Sequence, residues 1–440
     1  GHLYQQVFTM PRVSLALPFA LLGACGAFDG ALPRAGRSAA SRVARAPARM
    51  ATIERPAMVE LPNLDGALPD CPRTEWNSDG MDIAAEQQKL KAMGLPACPL
   101  EIVATPQENA QGAAYFTENA ERLRALLREH GTLWLKGFDL TKDEAGFHRF
   151  YDSIGLSPCL DPIHTSGLRA FASARDAVYQ EVNKQSLAGH YIGLHNEATT
   201  KKTARFGAFV CFKPASVRGG EFFIADGAAI FRDMRTDVLK RLYERKVRIS
   251  VSNLDLDVLG ALGPLKEGAM DAVKGLVQQV VAPKFDMDLE MLYGADGKAM
   301  RLQAIEEVQS PVNRHPETGI PVWFCNVHNH ARYLRDRRPC TVPEVGMTDV
   351  YLGDLSPVAA EDLDHINEVS HRNIATCAMA PGDVLLVDNY RVLHGRDIFE
   401  GERYHAVSWF DGWKSDVSSV VGDGGKPGNA LNKLINSLIK

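Results

Sequence analysis

Residues 191–226 read YIGLHNEATTKKTARFGAFVCFKPASVRGGEFFIAD, and this stretch decides the fold class. Apolar runs alternate with turn residues, the pattern of a strand, a turn and a further strand. His195 and Glu197 interrupt the first run with one residue between them. Side chains two apart in a strand share one face, so these two can converge on one point. The pattern therefore predicts a pair of metal ligands on a strand.

Short strands also dominate the rest of the chain, for example NIATCAMA, DVLLVDN and RYHAVSWF. They lack the regular strand and helix alternation of a parallel sheet, and no internal repeat is visible. Helical spacing predicts one helix over YFTENAERLRALLREH that ends at Gly131 and another, started by Thr141, over TKDEAGFHRFYDSI. The sequence thus predicts a mainly β protein with flanking helices, in a closed or double-layered β architecture.

The first fifty residues have the composition of a targeting leader. After Met10, the apolar run VSLALPFALLGACGAF is short for a membrane span and ends in small residues, as signal-peptide cores do. The following residues, up to Met50, contain five arginines and a single acid, Asp29, as transit peptides do. We expect residues 1–50 to be a bipartite leader, similar to those of algae with complex plastids, which directs the chain to the plastid. A plain signal peptide or a disordered arm is the alternative.

Three segments are expected after the leader. Residues 51–110 are rich in proline and polar breaks and are expected to be an irregular N-terminal segment. Residues 111–413 form the expected functional domain, with an insertion near 254–300 in which residues 258–281 are either a lid or a surface helix. Residues 414–440 form a tail.

Charge and cysteine content exclude several classes of function. Residues 1–50 hold six of the 49 basic and one of the 54 acidic side chains, so the remaining chain has 43 and 53 and a net charge of −10. Such a surface repels phosphate backbones, which makes nucleic acid an unfavourable partner, and no later segment has the length to span a membrane. The eight cysteines show no CxxC spacing and are expected to be mostly free thiols.

A third metal ligand is needed beside His195 and Glu197, and His394 is the candidate because it follows a buried strand and a turn in GDVLLVDNYRVLHGR. Two histidines and one carboxylate on one side of a metal leave the other positions open, as in non-haem Fe(II) oxygenases. Zinc hydrolases use the same residue types, but their HExxH helix is absent from this sequence. The pattern therefore favours iron, whereas histidines with purely structural hydrogen bonds are the alternative.

Four motifs in one order resemble the TauD/TfdA family of Fe(II)/2-oxoglutarate-dependent dioxygenases. They are HNE, FVCFKPASVRGGEFFIAD, HPETGIPVWFCN and GDVLLVDNYRVLHGRDIFEGER, and the resemblance runs from about Thr132 to Phe410. It implies a double-stranded β-helix core, a cupin-like jelly roll, in which His195, Glu197 and His394 bind Fe(II). It also implies that Arg403 binds the distal carboxylate of 2-oxoglutarate, a task for which the guanidinium fork is suited.

One position departs from the family pattern. The family has a threonine after the GGE turn whose hydroxyl helps to hold 2-oxoglutarate, but this chain has Phe222 there. Either Arg403 does more of the binding, or another hydroxyl such as that of Ser408 substitutes, or the pocket has changed. Glu197 fills the position that is small in halogenating relatives, so the resemblance disfavours halogenation.

Two further arginines flank His394 and are candidates for binding a substrate carboxylate. Arg391 and Arg396 either perform that role or pair with acids such as Asp388 and Asp397. Asp388 and Asp226 are themselves interpreted as turn-forming or supporting acids, because the chemistry needs no general base beyond the metal centre. Trp323, Phe324 and Trp409 are interpreted as core residues.

The resemblance implies that O2 and 2-oxoglutarate are consumed at iron, with release of succinate and CO2, while a small molecule loses hydrogen from a C–H bond. Hydroxylation and desaturation are both possible outcomes. A plastid location favours a tetrapyrrole substrate, as in chlorophyll c synthesis. The alternatives are an amino-acid or small-acid hydroxylase of the same family and a non-catalytic jelly-roll binding protein.

Overall fold

The computed structural model describes residues 68–162 except 75, 171–173, 178–179, 187–255 except 200, 287–293, 299–341 and 348–417. The predicted leader at 1–50, the possible lid at 258–281 and most of the tail lie outside these residues. Within the described ranges, no helix combines the length and hydrophobicity that crossing a membrane would require.

Two sheets carry the residues that matter for function. The larger sheet runs, in spatial order, through β1 (Leu100–Val103), β2 (Thr132–Lys136), β17 (Val384–Asp388), β7 (Phe206–Lys213), β20 (Tyr404–Trp413), β5 (Val178–Tyr179) and β4 (Phe171–Ser173), and β3 (Leu156–Cys159) also pairs with β20. The smaller sheet has the order β16 (Ile374–Cys377), β9 (Phe222–Asp226), β18 (Val392–Arg396) and β6 (Ile192–His195). Among the described pairs of both sheets, β1 and β2 are parallel and the others antiparallel.

Smaller sheets and helices surround these two. A third sheet has the order β11 (Met287–Tyr293), β12 (Ala299–Glu306), β10 (Val247–Asp255) and β15 (Asp349–Leu352). Two short pairs join β13 (Val312–Arg314) to β14 (Pro321–Trp323) and β8 (Arg218–Gly219) to β19 (Phe399–Glu400). The helices are α1 (Ile83–Met93), α2 (Pro106–Gln111), α3 (Ala113–Glu118), α4 (Ala120–His130), α5 (Glu144–Ser153), α6 (Gly227–Asp233), α7 (Thr236–Arg245), α8 (Val327–His330), α9 (Arg332–Arg335), α10 (Ala360–Arg372) and α11 (Lys414–Val417).

The larger and the smaller sheet face each other across an apolar interior. The ring of Phe209 on β7 lies 4.5 Å from that of Phe222 on β9, and the ring of Trp409 on β20 lies 5.8 Å from that of His394 on β18. Alternate residues of β7, such as Ala208 and Val210, pack instead into an outer core against the helices. The expected mainly β architecture with flanking helices is therefore confirmed.

Helix boundaries follow local capping residues, and two predictions were wrong in this respect. The predicted single helix before Gly131 is divided into α3 and α4 at Asn119, whose side chain donates to the carbonyl of Tyr115. Gly131 ends α4 as predicted, because its φ of 72° is left-handed and suits glycine. Helix α5 is capped by Asp143, which accepts from the amide of Gly146, and not by Thr141.

The N-terminal segment is more regular than the sequence indicated. Residues 51–110 were expected to be irregular, yet their described part contains α1, most of α2 and β1, and β1 extends the larger sheet. Helix α2 starts with a capping box in which Thr105 and Glu108 satisfy each other's backbone amides. Within the predicted insertion near 254–300, the described residues include β11 and the first two residues of β12, and these two strands pair antiparallel. Of the cysteines, the seven that lie in the described residues are free thiols, as predicted.

Candidate metal centre and co-substrate pocket

His195, Glu197 and His394 meet at one end of the smaller sheet. One ligand atom from each lies within 4.8 Å of the others, which is the spacing of donors around a single ion. His394 is 3% and Glu197 7% exposed, so most of the site is shielded from solvent. Strand β6 ends at His195, and Glu197 lies in a bend two residues later. The sequence suggested that strand alternation brings these two residues together. Their convergence depends instead on the bend at Glu197.

The hydrogen bonds of His195 suit it for metal binding. Its Nδ1 lies 2.9 Å from the carbonyl oxygen of Gly193. A carbonyl only accepts, so Nδ1 carries the proton and Nε2 keeps its lone pair. Gly193 is required at this point because a Cβ there would lie 2.3 Å from the carbonyl oxygen of His328 on α8. Two imidazoles and one carboxylate fit Fe(II), and the residues present thus match the metal that the sequence predicted.

Two asparagines that the sequence interpretation overlooked hold residues 195–197, the ligand segment, in place. Asn389 accepts from the amide of Glu197 at 3.0 Å and donates to the carbonyls of Glu197 and Ala204 at 2.9 and 2.8 Å. Asn326 accepts from the amide of Asn196 at 2.9 Å. The bend at Glu197 is thereby fixed to the turn that leads into β18. Asn326 lies in FCNV and Asn389 lies in DNYRVLH, within the motifs that carry the family resemblance. Their position in these motifs is the sequence feature that could have identified them.

Asn196 itself points away from the metal ligands. Its side chain donates to the carbonyls of Asn389 at 2.9 Å and Val392 at 3.1 Å. These bonds attach the start of the ligand segment to β18, two residues before His394. Asn196 therefore orients the turn.

Arg403 is buried directly before β20, in a pocket formed partly by the GGE turn. A Cβ at Gly220 would lie 2.9 Å from Nε and 3.0 Å from Cδ of Arg403, and the φ of Gly220 is +78°. Burial and, secondly, the positive charge of Arg396 lower the pKa of Arg403 to about 9. Because a buried guanidinium close to another cation is stabilised by an anion, the pocket suits a carboxylate.

Arg396 is also buried, but its hydrogen bonds are to the main chain. Its guanidinium donates to the carbonyls of Asp397 at 2.7 Å, Leu187 at 2.9 Å and His190 at 3.3 Å. Burial lowers the pKa of Arg396 to about 10. Its partner is thus not the carboxylate of Asp397, one of the two acids considered from the sequence. Arg396 anchors the segment that leads into β6 and adds positive charge near Arg403.

Phe222 fills the interior where the family has a threonine. Its ring lies 4.5 Å from that of Phe209 and stacks at 6.3 Å on the ring of His394. The suggestion that Ser408 supplies the missing hydroxyl is not supported, because Ser408 pairs with Ala208, which packs in the outer core. Side chains on β20 alternate between faces, so Val407 and Trp409 face the interior and Ser408 does not.

The structure does not place Arg391 as a substrate-binding residue. It forms a two-pronged ion pair with Asp226, with N···O distances of 3.0 and 2.6 Å, and donates to the carbonyl of Glu129 at 2.8 Å. Both side chains are nearly inaccessible. Asp226 also caps α6 by accepting from the amide of Ala228. Arg391 therefore supports the fold, although its partner is neither Asp388 nor Asp397.

The other residues interpreted as supporting groups occupy such positions. Asp388 accepts at 2.9 Å from Nε2 of His315, whose Nδ1 accepts from the amides of Glu317 and Thr318. Trp323 and Trp409 are almost fully buried, and Phe324 is 7% exposed. These residues belong to the core around the site and not to its reactive face.

Comparison with known proteins agrees with this site. Residues 99–409 match the family described as taurine catabolism dioxygenase TauD, TfdA family. The dapdiamide synthesis protein DdaC of Enterobacter agglomerans is 22% identical over 292 residues, covering 65% of this chain and 84% of that protein.

Two solved structures align with most of this chain at low identity. The PvcB protein of Pseudomonas aeruginosa has a TM-score of 0.41 and 16% identity, over 71% of this chain and 86% of its own. An asparagine oxygenase solved with Fe(II), 3-hydroxyasparagine and succinate has a TM-score of 0.42 and 12% identity, over 71% of this chain and 93% of its own. Since the family match spans more than half of the sequence, the chain belongs to the TauD/TfdA family and is an Fe(II)- and 2-oxoglutarate-dependent dioxygenase.

Proposed function

We propose that this enzyme oxidises an unactivated C–H bond of a small molecule, by hydroxylation or desaturation, with His195, Glu197 and His394 as the iron ligands. The observation that carries the proposal is the meeting of these three donors within 4.8 Å, with the two histidines on paired strands and Glu197 in the bend after β6. Fe(II) bound there would supply the oxidising chemistry from O2 and 2-oxoglutarate: one oxygen atom enters succinate, which is released with CO2, and the other enters the hydroxylated product, or water in a desaturation. We also infer that the two facing sheets form a double-stranded β-helix.

The chain's own residues supply binding and orientation. Three ligands from one side leave the opposite side of the ion accessible to the co-substrate and O2. The guanidinium of Arg403 binds the distal carboxylate of 2-oxoglutarate, and the backbone of Gly220 leaves the space that the arginine side chain occupies. Phe222, Phe209 and Trp409 surround the ring of His394 with apolar surface, which would exclude water from the neighbourhood of this ligand.

The proposal is tested by spectroscopy on the anaerobic Fe(II)-loaded protein. Adding 2-oxoglutarate should produce a weak visible charge-transfer band, and exposure to O2 should then yield succinate. The variant His394→Ala should produce neither the band nor succinate, whereas His371→Ala, which removes an exposed histidine on α10, should retain both. An undiminished band in His394→Ala would refute the third ligand, and a wild-type protein without a band would favour a non-catalytic binding protein.

For the substrate and the cellular location, the proposal depends on the sequence alone. The leader composition of residues 1–50 supports a plastid location, and a plastid location supports a tetrapyrrole substrate. Incubation with protochlorophyllide and, separately, with free amino acids distinguishes the candidates by mass. Loss of two hydrogens from the pigment supports desaturation, and gain of one oxygen by an amino acid supports the small-acid hydroxylase. A fluorescent fusion of residues 10–60 that stays in the cytosol would contradict the plastid location.

A further inference from the structure

Two cysteines that are remote in sequence lie side by side in the apolar interior. Cys71 is 5% exposed, Cys159 on β3 is 0% exposed, and both pack in the same core cluster as Trp409. The amide of Leu160 donates to the carbonyl of Pro69 at 2.9 Å, which holds the two chain segments together. The thiols of Cys71 and Cys159 form a hydrogen bond with each other. The two sulfurs therefore already lie close together, as formation of a disulfide requires.

The two thiols do not form part of a metal site. Within the described parts of the chain, His195, Glu197 and His394 are the one group of three or more donor side chains that could share an ion. A structural zinc site takes four ligands, and a pair of thiols without further donors does not provide them. Oxidation of the thiol pair to a disulfide is the chemistry that remains.

Cys71 lies in an N-terminal strap, residues 68–74, that main-chain hydrogen bonds attach to the β core. One end of the strap is bonded beside Cys159, at the end of β3. At the other end, the amide of Thr74 donates to the carbonyl of Lys201 at 2.8 Å, four residues after the metal ligand Glu197. The strap thus connects β3 with the segment that follows this ligand.

We propose that Cys71 and Cys159 form a reversible disulfide, a covalent modification that links the N-terminal strap to β3. The oxidant is a small-molecule disulfide, such as oxidised glutathione. Cys71 loses its proton to water, attacks one sulfur of the oxidant and releases one thiolate. Cys159 then loses its proton, attacks the Cys71 sulfur of the mixed disulfide and releases the second thiolate. The two thiolates take up the two protons, so two protein thiols are oxidised and one disulfide is reduced to two thiols.

The surroundings of the two sulfurs give the order of these steps. Pro69 and Asp70, which precede Cys71, are exposed, so local opening of the strap brings Cys71 to solvent first. Burial and, secondly, the hydrogen bond with Cys71 raise the pKa of the Cys159 thiol well above its ordinary value. A thiol that stays protonated is a poor nucleophile, so Cys159 reacts with the adjacent mixed disulfide and not directly with the oxidant.

The test uses the full chain in EDTA, so that neither iron nor 2-oxoglutarate takes part. The protein is equilibrated overnight with oxidised glutathione, the remaining thiols are alkylated, and peptides are mapped by mass. We expect a peptide pair linked through Cys71 and Cys159, lighter by two hydrogens than the two reduced peptides. A crosslink between residues so far apart in sequence restricts the unfolded chain, so the Tm should rise by roughly 5 °C. Dithiothreitol should reverse both changes.

Three alanine variants separate this pair from the other thiols. Cys71→Ala and Cys159→Ala should lose both the linked peptide and the rise in Tm, and Cys159→Ala should instead keep glutathione on Cys71. The control Cys325→Ala removes a buried thiol from a different core cluster and should retain both effects. If Cys159→Ala does not fold, Cys71→Ala in the strap provides the comparison.

Two outcomes would overturn the proposal. One is wild-type protein in which Cys71 and Cys159 remain alkylated after oxidation or pair with other cysteines. The other is an equal rise in Tm in wild type and Cys71→Ala. Either result would leave the proposed function untouched, because the metal centre is empty throughout the experiment.

Discussion

His394 lies directly opposite His195 across the antiparallel strands β18 and β6, and their ring centroids are 4.4 Å apart. Directly opposed residues point to the same face of a sheet and have Cβ atoms about 5 Å apart. Backbone pairing therefore brings together two imidazoles that are remote in sequence. Glu197 joins them through the bend that Asn389 holds.

A preformed ligand set predicts that metal binding stabilises the fold. A ligand at 100 times its Kd stabilises the folded state by about 2.7 kcal/mol. Mn(II) in excess should therefore raise the Tm by several degrees over the protein in EDTA, as measured by differential scanning fluorimetry. The rise should be lost in His394→Ala and retained in His371→Ala. An equal rise in both variants would place the metal elsewhere.

Asn389 is predicted to be as important for metal affinity as a residue that touches the metal. Asn389→Ala removes two buried hydrogen bonds to Glu197 and one to Ala204 and leaves backbone groups unsatisfied, which should cost about 3 kcal/mol of unfolding free energy. Loss of such supporting contacts typically lowers metal affinity roughly tenfold to a hundredfold. Urea unfolding and Mn(II) calorimetry measure the two effects.

The matched control for that change is Asn373→Ala. Asn373 ends α10 and donates to the carbonyl of Val369 and to Asp233, away from the metal ligands. It should lower stability by about 1 kcal/mol and leave Mn(II) affinity unchanged. Unaltered Mn(II) affinity in Asn389→Ala would mean that the bend at Glu197 keeps its shape without this side chain.

Arg391 is predicted to affect stability and not ligand binding. Arg391→Met leaves the buried carboxylate of Asp226 without its partner, which should cost about 3–5 kcal/mol in urea unfolding. The double variant Arg391→Met/Asp226→Asn should recover part of this loss, because no buried charge remains unpaired. Affinity for 2-oxoglutarate on the Mn(II)-loaded protein should stay within about threefold of wild type. A stable single variant with impaired 2-oxoglutarate binding would show that Arg391 also supports the co-substrate pocket.

The limits of sequence interpretation are visible in these residues. His195, Glu197, His394 and Gly131 were identifiable because ligand chemistry and helix capping depend on residue type and short spacing. The pairing of Arg391 with Asp226 was not, since it depends on how two remote strands meet in the fold. Nor did the sequence show that β6 ends at His195 and that a bend, held by a distant asparagine, directs Glu197 to the site.

Ser408 is a different case, because the information to exclude it was present. Ser408 lies between Val407 and Trp409 on β20, and neighbouring side chains along a strand point to opposite faces. Because Trp409 was interpreted as a core residue, this alternation could have placed Ser408 on the other face. The same counting does not extend to Arg403, which precedes β20 and is separated from Ser408 by a register shift after Tyr404.

Acid sensitivity is predicted to depend partly on His328. Burial and, to a lesser extent, the charges of Arg338 and His371 lower its pKa in the folded protein to about 3. The unfolded chain, with an ordinary histidine pKa of about 6.5, binds the extra proton first, so stability is fully present above pH 6.5 and declines as the pH falls towards 3. Between pH 7 and pH 5 this histidine alone should cost about 2 kcal/mol.

The variant His328→Leu removes that titration. Urea unfolding at pH 7 and pH 5 should therefore show a smaller loss for His328→Leu than for wild type, by about 2 kcal/mol. The difference at pH 7 reports the packing change alone and is the internal control. Parallel losses in the two proteins would mean that His328 is already protonated in the folded state or that it titrates equally in both states.

Gly220 gives the sharpest test of the Arg403 pocket, because the chain offers a glycine with matched backbone geometry. Gly220→Ala introduces a Cβ at 2.9 Å from Nε of Arg403 and 3.0 Å from Cβ of Phe399, at a φ of +78°. Gly319→Ala introduces the same strain at a φ of +68° but meets no atom within 4 Å. Both variants should lose about 1 kcal/mol or more of unfolding free energy to the left-handed backbone.

Only Gly220→Ala should weaken 2-oxoglutarate binding, roughly tenfold, with Mn(II) affinity unchanged, because the displaced guanidinium no longer reaches the carboxylate. Equal 2-oxoglutarate affinity in the two variants, measured by calorimetry, would show that Arg403 does not bind the co-substrate.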